Sequence, residues 1–272
     1  DIGSAKIRPE EMHGVPHHLV DCLEPDEEFN VVWFQQMAKE VMEGIYARGR
    51  IPVLVGGTGF YIQAVTGDID FTVHGEDTTY RRMLEEKAKT EGAQVLHEML
   101  AAVDPASAEA IHANNVKRVI RALEYYQQTG KPISQHNEEQ RQKESPYNLA
   151  YFVLNDDRSR LYERIDARID QMLDEGLIDE VKALKEMGYH KGMVSMQGLG
   201  YKEILSYLDG TWSLEEAVYV LKRDTRHFAK RQITWFKRER QVEWFDKQEF
   251  GYDSQAILDA MLASLREKKI IE

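Results

Sequence analysis

The sequence predicts an α/β fold in which a parallel β-α-β core is interrupted by a helical insertion. Three observations carry that expectation. Short apolar runs alternate with long helix-period segments in the first third of the chain, and again after residue 147. Between about Phe71 and Gln142 the character changes to polar helices with short connections. Glycine, proline and Asn, Asp or Ser stand where such elements need caps and breaks.

Taken in order, "HHLVD" (His17 to Asp21) reads as a short strand. Asn30 can cap a helix from about Val31 to Arg48, with Gly49 just past its end. The Asn side chain accepts from the first free amides, and glycine tolerates a left-handed exit. Ile51 to Val55 is then a second, buried strand that runs into "GGTG", Gly56 to Gly59. Strand, long helix and strand in that order imply a parallel pair.

In the insertion, "DTTYRRMLEEKAKTEG" closes at Gly92, and "AQVLHEMLAAV" leads to Asp104-Pro105, a cap followed by proline at the first helical position. "NNVKRVIRALEYYQQTGKP" puts Val119, Ile120, Leu123 and Tyr126 on one face before Gly130 and Pro132. "SQHNEEQRQKESP" reads as a charged linker or mobile loop. Strand character returns in "LAYFVLN", Leu149 to Asn155. Leu161, Ile165, Ile169 and Leu173 then recur every four residues, Gly176 breaks the helix, and another reaches Met187. Ser213 and Glu216 form the S-x-x-E pattern that opens a helix reaching Phe236 or beyond. The expected domains are 1–71 with 147–272, the core and its C-terminal helices, and 72–146, the insertion.

With 272 residues and 42% hydrophobic content, the chain can build one large core or two modest ones. No apolar stretch approaches the ~18 residues of a membrane span, and no charged-then-apolar leader opens the sequence. The single cysteine, Cys22, excludes an internal disulfide framework and a Cys-based zinc cluster and fits a reducing, cytoplasmic setting. A net charge of -12 argues against a protein that coats nucleic acid nonspecifically. From Leu221 to Arg240, however, eight Lys/Arg face only Asp224 and Glu239, a local +6 that leaves -18 for the rest. A basic patch on an acidic body suggests a localised polyanion contact.

Several constellations could carry chemistry. The "GGTG" turn after an apolar run would let a ligand approach the backbone, with the next helix N-terminus offering amides to an anion; it is equally the composition of a plain strand-to-helix turn. Arg164 and Arg168 share a helix face at i, i+4, which suits a pyrophosphate. The competing reading is a solvated helix laced by Glu163, Asp166 and Asp170. Arg223, His227, Lys230, Thr234 and Arg238 form a largely cationic stripe with Phe228, Ile233, Trp235 and Phe236 interleaved. Charge with aromatics suits RNA, whose bases can be splayed and stacked; an ordinary amphipathic helix is the alternative. Lys117, Arg118 and Arg121 in "VKRVIRALE" could be a solvated face. His17 and His18 are packing groups rather than metal ligands, since neighbours in a strand point to opposite faces, and no metal site is expected. "SMQGLGYKE", Ser195 to Glu203, is by composition only a loop.

Together "DIGSAKI", "GVPHHLVD", "LVGGTGFY", "RVIRALE", "LYERIDARIDQML", "GLGYKE" and "AKRQITWFK" resemble, in order, the motifs of the bacterial-type tRNA dimethylallyltransferases, over Asp1 to about Phe245. The resemblance implies a P-loop-kinase-like α/β core with a helical insertion that closes on the anticodon stem-loop. It implies transfer of a dimethylallyl group from dimethylallyl diphosphate to the exocyclic amine of the adenine beside the anticodon, releasing pyrophosphate with Mg2+ assisting, by a monomer without membrane attachment. The target base would be flipped into a channel.

By that resemblance Thr58 is a tRNA contact at the channel rim, Arg81 an insertion contact, and Lys117, Arg118 and Arg121 touch the anticodon arm. Gln197, Gly198, Leu199, Gly200, Tyr201 and Lys202 match a further tRNA-binding segment. So do Lys230, Arg231, Gln232, Ile233, Thr234, Trp235, Phe236 and Lys237. Arg164 or Arg168, with Arg168 preferred, matches the pyrophosphate arginine. The resemblance also implies a G-x-x-x-x-G-K-[ST] loop and a following Asp that serves as general base. Neither motif occurs in the 272 residues, and the expectation is that they precede Asp1 and that this chain alone is inactive. The "GGTG" turn would then line the opposite side of the channel, facing adenine rather than phosphate. Other readings are a P-loop small-molecule or nucleotide kinase, an adenylate prenyltransferase, and a non-enzymatic RNA-binding module.

Overall fold

The computed structural model describes residues 1–71 and 79–272. It is a helix-rich α/β structure that divides into two compact units, Asp1–Val65 with Tyr147–Glu272, and Thr66–Pro146.

The first unit opens with a turn-rich segment and then α1, Val31–Ala47. Asn30 caps it by accepting from the Val32 and Trp33 amides at 3.0 and 3.1 Å, and Gly49 leaves it with φ +66°. After "GGTG" comes α2, Gly59–Thr66, tied to α1 where the Gln35 side-chain amide donates to the Ala64 carbonyl at 2.6 Å. Strand β1, Tyr151–Asn155, leads through Asp157, the cap of α8, Arg158–Asp174. Gly176 (φ +101°) ends that helix and starts α9, Leu177–Glu186. After a short 3-10 turn follow α10, Tyr201–Leu208, and α11, Leu214–Phe236. In α11, Ser213 accepts from the Glu216 amide at 3.1 Å. Strand β2, Val242–Asp246, pairs parallel with β1, Tyr151 opposite Val242 through Asn155 opposite Asp246. The crossover between them holds α8 to α11, the helical return that parallel pairing requires. Helix α12, Ser254–Glu267, closes the unit. Its core joins Ile169, Leu177, Val181, Met196, Ile204, Leu205 and Leu221, all buried.

The second unit contains α3 (Thr79–Glu91), α4 (Ala93–Val103), α5 (Pro105–Ala110), α6 (Val116–Thr129) and α7 (Ile133–Gln142). Leu84, Leu96, Leu100, Val119, Ile120 and Leu123 fill its centre. Asp104, buried to 1% exposure, ties α5 to α7: its carboxylate accepts from the Ser107 amide, the Ser134 amide and the Ser134 hydroxyl at 2.6 to 3.0 Å. Burial alone would raise its pKa, but the hydrogen bonds from Ser134 and Ser107 win and hold it below the usual carboxylate range.

Four expectations need correction. "HHLVD" is turn and coil, and Ile51 to Val55 forms no ladder. Val53 and Val55, expected to be buried, are 80% and 87% exposed. A run of β-formers becomes a strand only where a neighbour receives its amides and carbonyls, and among the described residues none lies beside it. The parallel pair forms instead between β1 and β2, each five residues long. The linker "SQHNEEQRQ" is helical as α7, since Pro132 at the cap and the Gln135–Glu139 and Gln142–Glu138 side-chain bonds favour the helix. "SMQGLGYKE" is a 3-10 turn running into α10, where Glu203 returns to accept from the Gly200 amide at 2.9 Å.

Candidate active site and nucleic-acid interface

Helix α11 organises the site. Its first half faces inward: Arg226 holds Asp166 of α8 through both carboxylate oxygens at 2.6 and 2.8 Å. Lys222 reaches Asp170 at 2.5 Å, and Arg223 bonds Asp224 at 2.8 Å. The second half faces outward. Among the described residues Lys230, Arg231, Lys237, Arg238 and Arg240 have no acidic partner within ion-pair distance. His227, Lys230, Arg231, Thr234, Trp235 and Arg238 line one pocket of about 380 Å³. Ile233 is half-buried and Phe236 buried, meeting Tyr151 edge to face at 6.2 Å. Lys237 caps the helix end and is exposed.

The glycine turn lies against this half. The Gln232 side-chain amide donates to the Gly57 carbonyl at 2.9 Å, and Phe60 meets Trp235 edge to face with centroids 6.3 Å apart. Thr58 is exposed between them, its carbonyl accepting from the Tyr61 and Ile62 amides at 2.9 and 3.2 Å to start α2. Tyr61 stacks on Phe34 of α1 at 4.7 Å, which anchors the far side of the turn. Just beyond α11, burial pushes the Glu239 carboxyl above its usual range, with the neighbouring Trp235 opposing the shift. Burial, with Glu239 adding to it, raises the Tyr151 phenol.

Arg164 and Arg168 are both exposed on α8 but have different partners. Arg164 Nη1 lies 3.3 Å from the carboxylate of Asp156, whose side chain is 5% exposed. Among the described residues Arg168 bonds only the Gln171 amide oxygen, at 3.4 Å, and it lines a cleft with Ile2, Lys6, Arg8 and Asp21. The acids expected to lace the helix, Asp166 and Asp170, are drawn to α11 instead.

In the "QGLGYK" segment, Gln197 donates to the Lys191 carbonyl and Leu199 packs on the core. Gly200 has φ +97°, which favours glycine, and Gly198 is exposed. Lys202 pairs with Glu203 at 3.4 Å. The Tyr201 hydroxyl donates to Glu180 at 2.8 Å, and burial first, then Glu180, pushes this phenol up to about 12. Glu180 also accepts from the Ile2 and Gly3 amides at 2.7 and 3.2 Å. Burial would raise Glu180, but these bonds hold it below its usual range. A methyl on Gly3 would lie 2.7 Å from the Tyr201 ring, so "DIGSAKI" and "GLGYKE" form one packed unit.

In the second unit Lys117 and Arg118 are exposed at the start of α6. Arg81 is committed to Glu124 by two bonds of 2.9 and 2.7 Å. Burial lowers the Arg121 guanidinium pKa although Glu124 opposes it. Sequence reading missed Asp156, Glu180 and Glu239. Asp156 carries a usable signal, since it directly follows a strand of a parallel pair, where functional side chains gather.

Fold and surface together define a class: a helix-rich α/β protein with a cationic face beside a glycine turn. A family model described as IPP transferase matches residues 1–239. A protein of Lachnoclostridium phytofermentans named tRNA dimethylallyltransferase is 63% identical over all of this chain and 87% of its own length. One of Carboxydothermus hydrogenoformans with the same name is 51% identical over 90% of this chain and 79% of its own. The crystal structure of the Bacillus halodurans tRNA isopentenylpyrophosphate transferase superposes with TM-score 0.70 at 45% identity, covering 99% of this chain and 84% of that one. A eukaryotic dimethylallyltransferase acting on tRNA gives TM-score 0.79 at 27% identity, over 96% and 67%. The chain belongs to the IPP transferase family of tRNA dimethylallyltransferases, and its fold is the P-loop-like α/β fold of that family.

Proposed function

We propose that the protein transfers a dimethylallyl group from dimethylallyl diphosphate to the exocyclic amine of the adenine beside the anticodon of tRNA. The observation that carries this reading is the unpaired cationic half of α11 lying against the glycine turn, in a chain whose relatives are named for this reaction. The amine nitrogen forms a bond to the terminal dimethylallyl carbon, the carbon–oxygen bond to diphosphate breaks, and a base takes the amine proton. Lys230, Arg231 and Arg238 neutralise tRNA phosphates, Trp235 offers an aromatic face, and Thr58 meets the base. Lys117 and Arg118 serve the anticodon arm. Arg168, whose only bonded partner among the described residues is an amide, is better suited than Arg164 to meet the charge that develops on pyrophosphate.

Among the described residues no group of three or more His, Cys, Asp and Glu could hold a metal. Mg2+ is accordingly read as part of the substrate complex and not as an ion resident on the described residues. In this reading it arrives with the diphosphate, as Mg2+ commonly does. No helix among the described residues is long and apolar enough to cross a membrane, and the reading is of a monomer working in the cytoplasm.

The test offers the protein, expressed from its own gene, labelled dimethylallyl diphosphate with tRNA or with free AMP. Label entering tRNA alone supports the reading. Label entering AMP, or ATP-dependent phosphorylation of a small molecule without prenyl transfer, overturns it.

A further inference from the structure

Gly57 and Gly59 both have negative φ or extended backbone, outside the left-handed set, so neither position needs glycine's conformational freedom. Space explains them. A methyl on Gly57 would overlap the Gln232 carboxamide, and one on Gly59 would overlap the Trp235 indole. Gly56, next in line, meets no atom within 4 Å. Gln232 and Trp235 are three residues apart on α11, hence on one face. They hold the turn at two points with Thr58 exposed between, and Gln232 adds the bond to the Gly57 carbonyl.

The geometry points to Gln232 as a positioning residue for prenyl transfer: its carboxamide grips the Gly57 carbonyl and so sets Thr58 against the cationic face, and residue 57 is glycine to admit it. This rests on the proposed function and deepens it. The bond to the Gly57 carbonyl takes one N–H of the Gln232 carboxamide and fixes that side chain on the protein's own backbone. Because the group a Gly57 methyl would strike is the far end of a flexible side chain, Gly57→Ala should act by evicting that carboxamide. It would then reproduce the loss of Gln232 rather than add to it.

The test is a double-mutant cycle of Gly57→Ala and Gln232→Met, the latter keeping volume while removing the donor. Three readouts are followed in the protein expressed from its own gene: hydrogen exchange of the Thr58 to Ile62 amides, tRNA affinity, and prenyl transfer. Each single variant is expected to speed exchange about five- to tenfold and to lower kcat by a similar factor, the scale of one lost hydrogen bond. The double variant should match the larger single effect. The KM for tRNA should stay within about twofold, and Gly56→Ala should leave exchange unchanged. Additive effects, unchanged exchange in Gln232→Met, or a loss confined to tRNA affinity would overturn the assignment. Absence of prenyl transfer in the unmutated protein would instead sink the proposed function, and the exchange cycle would still decide the grip of Gln232 on the turn.

Discussion

Both halves of α11 carry Lys and Arg, and these cations meet opposite fates. In the first half Lys222, Arg223 and Arg226 are all ion-paired, two of them to α8, and Leu221 is buried in the core. In the second half the cations face solvent beside a glycine turn, and the apolar contact is made by Trp235 and Phe236. Positive charge on a helix thus does two jobs here, docking one end and leaving the other available. What separates them is whether α8 lies alongside.

The sharpest way to break this comparison is at Leu221. Leu221→Ala should cost about 2–5 kcal/mol in urea unfolding, whereas truncating Lys230 or Arg238 should leave stability within about 0.5 kcal/mol. Comparable stability losses at both ends would erase the distinction. Next in size, Lys230→Ala with Arg238→Ala should weaken tRNA binding about tenfold at low salt and make its salt dependence shallower by about one contact each. A salt titration with an unchanged slope would remove these residues from the interface.

A smaller effect is expected at Arg226. Its pair with Asp166 is partly exposed, so Arg226→Ala should cost about 0.5–1 kcal/mol and leave tRNA affinity within about twofold, which filter binding or fluorescence can read. The smallest effect is a pH dependence of opposite sign at the two ends. The bond from Arg223 holds the Asp224 carboxyl below its usual range, so its contribution is present at neutral pH and fades as pH falls through that depressed value. Burial raises Glu239, so the folded state keeps a proton that the unfolded chain releases. Stability then declines as pH climbs from the ordinary carboxylate range to the raised value. Glu239→Gln should flatten that decline in melts taken from the ordinary carboxylate range upward in pH, and Asp224→Asn should flatten the acid limb.

Local chemistry was legible wherever the signal is short-range. Asn30, Gly49, Asp104, Gly176 and Ser213 each mark a helix boundary where the structure has one, because a cap is settled within four residues. The strands were not. Ile51 to Val55 has the composition of a buried strand and no ladder, while "VEWFD" pairs with a segment about 90 residues upstream. Pairing depends on a distant partner that no window contains. In the site, the basic excess on residues 221–240 was visible, but its division into docked and open halves was not, since Asp166 and Asp170 look equally available to Arg164 and Arg168 on their own helix.

The order of motifs, the helix caps and the charge contrast follow from the sequence alone, because each depends on neighbours within a few residues or on simple counting. Tertiary structure decided which arginines are free, which of two parallel pairings forms, and why residues 57 and 59 carry no side chain. Those outcomes depend on groups some 175 residues apart in the chain meeting within hydrogen-bond distance, and only the folded packing brings them together.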